Sequence, residues 1–162
     1  MRLRRLSSLI VLPIAAAFIG FSAHAANLRI GVGADITSMD PHFVNLFPNN
    51  GVAEHIYDKL IGLDADSRLI PALAESWKTI DPTTWEFTLR DGSTFEDGTP
   101  VTCEDIKYGV SRTFATDVIT DGPTYAISML DVPSAEDGSS AYKGPYSTDA
   151  ANDTASFDKA VT

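Results

Sequence analysis

Residues Pro71 to Tyr108 read PALAESWKTIDPTTWEFTLRDGSTFEDGTPVTCEDIKY. Pro71 is a favoured first helical residue, and the run that follows it predicts a short helical turn ending at Trp77. The pattern then changes to strict alternation in Trp85-Glu86-Phe87-Thr88-Leu89-Arg90. Trp85, Phe87 and Leu89 share one face, as in a half-buried antiparallel strand. Asp91-Gly92 and Asp97-Gly98 supply turn chemistry, and Phe95 restarts the apolar face, so a hairpin across Asp91-Gly92 is expected. Thr102, with Asp105 three residues on, opens a capped helix in which Ile106, Val110 and Phe114 line one face. Trp77, Trp85, Phe87 and Phe95 are assigned to packing.

Upstream, Leu28 to Val32 reads as a short apolar strand, with Gly31 and Gly33 letting the backbone bend at its end. A loop from Asp35 to Pro41 follows, closing in the turn Ser38-Met39-Asp40-Pro41-His42. Asn50 is placed to cap a helix carrying Ala53, Ile56, Tyr57 and Leu60 at i, i+3, i+4 and i+7. Leu60 to Leu63 reads as a strand ended by the polar turn Asp64-Ala65-Asp66-Ser67, with Leu69 and Ile70 extended beyond it. Downstream, Tyr125 to Leu130 predicts a short helix with Pro123 near its start. Residues 131–156 lack periodicity and read as a flexible Gly/Ser/Asp-rich loop. Residues 157–162 begin to look ordered again. No internal repeat is present.

Arg2, Arg4 and Arg5 precede the apolar run Leu9–Phe21, and Ala23-His24-Ala25 is a small-x-small cleavage site. Residues 1–25 therefore read as a secretory signal peptide, the run being shorter than the roughly 20 residues of a membrane span. No membrane insertion is expected after cleavage. The formal charge is −10, and removing three Arg with no acid makes the remainder more acidic still. With Lys scattered and no basic run after residue 5, nucleic acid and anionic membrane are excluded as partners.

Enzyme signatures are missing. No G-x-S-x-G, H-E-x-x-H, C-x-x-C or phosphate-binding loop occurs, so binding rather than turnover is expected, with no cofactor. His42, His55, Asp40 and Met39 are the only foothold for a metal, and no metal site is assigned to them. Asp97 and residues 131–137 lack calcium-loop spacing. Cys103 is the single cysteine. Its readings, in order, are a disulfide to a residue beyond Thr162, a buried free thiol, and a nucleophile at a helix start.

The 71–108 stretch resembles the family 5 (peptide/nickel type) extracellular solute-binding proteins of ABC importers. Their most recognisable segment has the form PALAxSW…(aromatic)xFxLRxGxxFxDGxPVTxEDxxY, and Asp40-Pro41-His42 matches their common turn. The resemblance covers Leu28 through about Leu130. It implies an α/β chain forming part of the first lobe of a two-lobe periplasmic-binding-protein-like (type II) fold, residues 26–130 being the lobe segment. Family members are far longer, so the chain is expected to be an N-terminal part that binds weakly or not at all alone.

The implied function is capture of a di- or oligopeptide, or a related small solute, in the periplasm for the permease and ATPase of an ABC importer. Alternatives are a secreted hydrolase with its catalytic residues outside this stretch, and a nickel or metal-chelate binder. The resemblance brings Gly33, Ala34, Asp35, Ile36, Thr37 and Ser38 to the cleft, where their backbone would pair with an extended peptide. Asp35 would add a carboxylate for a ligand ammonium. Tyr125 matches a position where relatives place an aromatic near the cleft.

Overall fold

The computed structural model describes residues 27–119 and 125–162, with backbone alone at Tyr125 and Ala126. The expected signal segment and Pro123 lie outside the described residues. The chain divides into two units, Met1–Gly31 and Val32–Thr162. Of the first, residues 27–31 carry no helix or strand, and Leu28 and Ile30 are exposed. The strand expected over 28–32 is not formed. Among the described residues both sheets are two-stranded and neither includes residues 28–32; a strand without a ladder partner leaves its backbone groups unpaired.

The second unit holds α1 (Phe47–Ala53), β1 (Ile61–Leu63), β2 (Leu69–Pro71), β3 (Ala74–Asp81), β4 (Thr84–Leu89), α2 (Cys103–Arg112), α3 (Tyr125–Met129) and α4 (Thr154–Ala160). β1 and β2 pair antiparallel with Gly62 opposite Ile70. Their turn is the expected Asp64–Ser67 one. The Asp64 carboxylate accepts the N–H groups of Asp66 (2.8 Å) and Arg68 (2.9 Å), and Ser67 sits at φ 60°.

β3 and β4 form a second antiparallel pair, with Trp77 opposite Phe87 and Thr79 opposite Trp85. This corrects two expectations. Residues 74–81 are strand rather than a helical turn, because cross-strand pairing outweighs the weak helix preference of Ala-Glu-Ser. The hairpin partner of β4 precedes it, through Pro82-Thr83, instead of following Asp91-Gly92. The Asp81 carboxylate accepts the Thr83 N–H at 2.9 Å and closes that turn, and Lys78 Nζ meets Glu86 Oε1 across the strands at 2.5 Å. The Asp97-Gly98 turn is real: Gly98 adopts φ 85°, and Phe95 N–H donates to the Thr99 carbonyl at 2.8 Å.

The aromatic assignments also change. Trp85 is 56% exposed, Phe87 38% and Phe95 43%. The apolar side chains Trp85 and Phe87 of this sheet therefore stay partly open to solvent instead of forming a core. The core is elsewhere, where Phe114, Tyr142 and Phe157 meet. The Phe114 ring is 5.3 Å from Tyr142 and 5.6 Å from Phe157, and Tyr142 stacks on Phe157 at 4.4 Å between centroids. The loop expected over 131–156 ends earlier, because α4 starts at Thr154 with Asp153 as its cap; Tyr142 comes from the aperiodic part, 131–153, whose backbone carries no helix or strand. That stretch is tied down by Asn152, which accepts the Lys143 N–H at 2.7 Å and donates to the Gly144 carbonyl at 3.1 Å.

Two helix boundaries follow from local chemistry. α2 starts as expected: Asp105 Oδ2 accepts the Thr102 hydroxyl at 2.7 Å and the Thr102 N–H at 2.8 Å, and these bonds, the hydroxyl's first, lower the Asp105 pKa. α1 runs over 47–53 rather than 50–60, because Pro48 supplies the early helical position. Asn50 does not cap it; its amide donates to Asn45 Oδ1 at 2.8 Å instead. The short helix expected at 125–130 is α3.

Candidate functional site

Gly33 to Thr37 are exposed, and Ser38 is half-buried. Gly33 has free space around it and no left-handed φ, so local geometry does not demand glycine there. The far end of the loop is fastened. Asn49 of α1 donates from Nδ2 to Thr37 Oγ1 at 3.2 Å and to the Ser38 carbonyl at 3.0 Å. Ser38 Oγ in turn accepts the Asp40 N–H at 3.0 Å, and Asp40 Oδ1 accepts the His42 N–H at 2.9 Å. That is the side-chain turn which the sequence Asp40-Pro41-His42 favours.

The other oxygen of Asp40 pairs with Arg112 Nη2, from the last turn of α2. The Arg112 guanidinium lies 5.8 Å from the Tyr146 ring centroid, a cation–π arrangement. The Tyr146 and Tyr108 hydroxyls share a hydrogen bond of 2.9 Å. A continuous polar chain thus runs from Thr37 through Asp40 and Arg112 to Tyr108. An open concavity of about 700 Å3 shares Tyr146 with this chain; Phe114, Ile127 and Tyr142 line it on the apolar side and Asp137, Lys143 and Asp149 on the polar side.

Burial holds the His42 pKa below its ordinary 6.5; the nearby Arg112 charge adds to this and Asp40 opposes it. Its imidazole is neutral at neutral pH, and Nδ1 is buried without a partner among the described residues. Asn49 is 4% exposed. The Ser38 carbonyl can only accept, which fixes the orientation of the Asn49 amide. Its Oδ1 is then buried and, among the described residues, unpaired, at a cost of about 1–3 kcal/mol.

The structure brings Thr37 and Ser38 together with Asp40, Asn49 and Arg112. It leaves Gly33, Ala34, Asp35 and Ile36 as exposed loop. Tyr125 is the first residue of α3, and its side chain lies outside the described residues. His42 and His55 do not meet in a metal cluster: among the described residues no three His, Cys, Asp or Glu side chains converge. Cys103 is the first residue of α2 and is exposed and free, so the buried-thiol reading is wrong. A thiol at a helix's first turn stays solvent-facing when the apolar positions begin only at Ile106.

Asn49 and Arg112 were not legible from the sequence as parts of this site. Pro48 as a helix-start residue was the only local pointer to Asn49. Nothing near Arg112 points to Asp40.

Residues 68–152 match the model of the bacterial extracellular solute-binding proteins, family 5 Middle. The chain is 32% identical over 111 residues to the periplasmic oligopeptide-binding protein OppA of Escherichia coli (strain K12), covering 61% of this chain and 20% of that protein. It is 36% identical over 108 residues to the glutathione-binding protein GsiB of Escherichia coli O6:K15:H31 (strain 536 / UPEC), covering 65% of this chain and 21% of the relative. Among solved structures, the clavulanic acid biosynthesis oligopeptide binding protein 2 aligns with a TM-score of 0.58 at 31% identity, over 72% of this chain and 22% of that one. The chain therefore spans about a fifth of the length of the curated relatives it matches. Among the described residues no helix is long and apolar enough to cross a membrane.

Proposed function

This chain belongs to family 5 of the bacterial extracellular solute-binding proteins, and from that membership we propose that it captures a short peptide, or a closely related small solute, for an ABC importer. Its fold class, an α/β part of the first lobe of a two-lobe type II binding protein, is that of its relatives. The names of those relatives, oligopeptide- and glutathione-binding, support a peptidic ligand.

The observation that carries the reading is the 33–38 loop: an exposed backbone leading into a fastened end at Thr37 and Ser38. Among the described residues no hydrogen bond reaches the main chain of Gly33 to Thr37, and such a segment, braced at its far end, suits an extended peptide whose own backbone supplies complementary groups. Asp35 adds a carboxylate for a peptide ammonium. Tyr125 is the second proposed contact. The mechanism is closure of the lobes around the ligand, without chemistry and without a cofactor, with ATP hydrolysed by a separate subunit. The site of action is the periplasm, reached through the signal segment 1–25, and the partners are the permease and ATPase of the importer.

Calorimetric titration of the whole gene product with short peptides and glutathione tests this. Saturable one-to-one binding with the ligand recovered intact is expected. Cleavage of the ligand, or heat signals that never saturate for any peptide, would sink it.

A further inference from the structure

We infer that Asn49 is a positioning residue for the ligand loop: its amide sets where the Thr37–Ser38 backbone presents itself, and so tunes how tightly ligand is held. The inference rests on the proposed role of residues 33–38 in ligand contact. Three observations carry it. Both donor hydrogens of the amide are directed at one short target, Thr37 Oγ1 at 3.2 Å and the Ser38 carbonyl at 3.0 Å. These contacts span eleven and twelve residues of sequence, so they fasten loop to helix rather than shaping a local turn. And Asn49 Oδ1 is buried without a partner among the described residues.

The third observation decides between positioning and plain packing. An apolar side chain in this buried place would relieve the unpaired acceptor and pack better. What only the amide supplies is a pair of donors aimed at the loop's end. Ser38 is also held from its other side, where its hydroxyl accepts the Asp40 N–H and Asp40 is ion-paired to Arg112. The fastened end is thus anchored on α1 and α2 together, while Gly33 to Ile36 remain exposed. A segment pinned at one end meets a ligand with less conformational freedom to lose.

The experiment compares wild type with Asn49→Ala, Asn49→Asp and Thr37→Val in the whole gene product. Backbone 15N order parameters are measured without ligand, and peptide affinity by calorimetry. Thr37 is exposed, so Thr37→Val removes one acceptor without disturbing packing and keeps the test open if an Asn49 variant does not fold. Order parameters at Thr37 and Ser38 are expected to fall from a rigid value near about 0.85 toward about 0.6 in Asn49→Ala. Peptide Kd is expected to rise about tenfold in Asn49→Ala and less in Thr37→Val. Asn49→Asp, isosteric but without donors, should behave like Asn49→Ala at neutral pH. It should recover on acidification, relative to wild type at the same pH, as the buried carboxyl protonates and regains a donor. A merely structural role does not produce that pH profile.

Unchanged order parameters in the variants overturn the inference, as does a loosened loop with unchanged affinity. If wild type binds no peptide, the peptide reading falls, while the order parameters and the Asn49→Asp pH profile still decide the positioning role.

Discussion

Asp40 and Arg112 lie seventy-two residues apart in the chain and are joined by an ion pair. The pair couples the end of the 33–38 loop to the last turn of α2. Its side chains are about one-third and one-fifth exposed, so solvent screens it only in part. Each oxygen of Asp40 has its own task, Oδ1 for the His42 N–H and Oδ2 for Arg112.

Replacing Arg112 should therefore cost more than a surface pair. Arg112→Met is expected to lower unfolding free energy by about 1–2 kcal/mol, between the range of exposed pairs and that of charge-assisted hydrogen bonds. Arg112→Lys should recover little, since an ammonium lacks the planar group that both reaches Asp40 and covers Tyr146. Urea denaturation measures both; full recovery by Lys would contradict the geometry.

Gly144 is a second point where one atom matters. It adopts φ 84°, and an added Cβ would sit 2.8 Å from the Ala115 backbone nitrogen. Gly144→Ala should destabilise by about 2–4 kcal/mol, combining left-handed strain with overpacking. A thermal midpoint within a degree or two of wild type would show that the 142–144 segment relaxes freely.

The aromatic trio concentrates the core in very few side chains. Phe157→Ala removes the ring that stacks on Tyr142 at 4.4 Å, and a loss of about 3–5 kcal/mol is expected. Near-ultraviolet circular dichroism should lose its aromatic signal together with the unfolding cooperativity. Retention of both would mean that the core lies elsewhere.

His42 supplies a pH dependence with a defined sign. Its folded pKa lies below 6.5, through burial first and Arg112 second, so the unfolded chain takes up this proton more readily. The contribution is whole above pH 6.5 and is lost as pH falls from there through the folded value. The drop in thermal midpoint between about pH 7.5 and about pH 5.5 should be smaller in His42→Gln than in wild type. Equal drops in the two proteins would assign the dependence to other groups.

The segment that identifies the family, Pro71 to Tyr108, carried its own local chemistry. Its turn at Asp97-Gly98, the strand β4 and the Thr102–Asp105 cap all appear where spacing and residue type put them, because each is settled within about four residues; the half-buried face expected of β4 does not, Trp85 and Phe87 being exposed. The α/β class and the membership of family 5 were likewise legible there. Trp77 shows the limit. Its neighbours prefer helix slightly, yet it stands in β3 opposite Phe87, since a strand's partner can outweigh a few tenths of a kcal/mol of propensity.

The candidate site divides the same way. The sequence by itself determined the Asp40-Pro41-His42 turn and, through resemblance, pointed to the 33–38 loop. Only the tertiary structure decided that Asn49 and Arg112 hold the end of that loop. Side-chain donors and charges reach any acceptor that folding brings within about 3 Å, and sequence spacing carries no record of which one that will be.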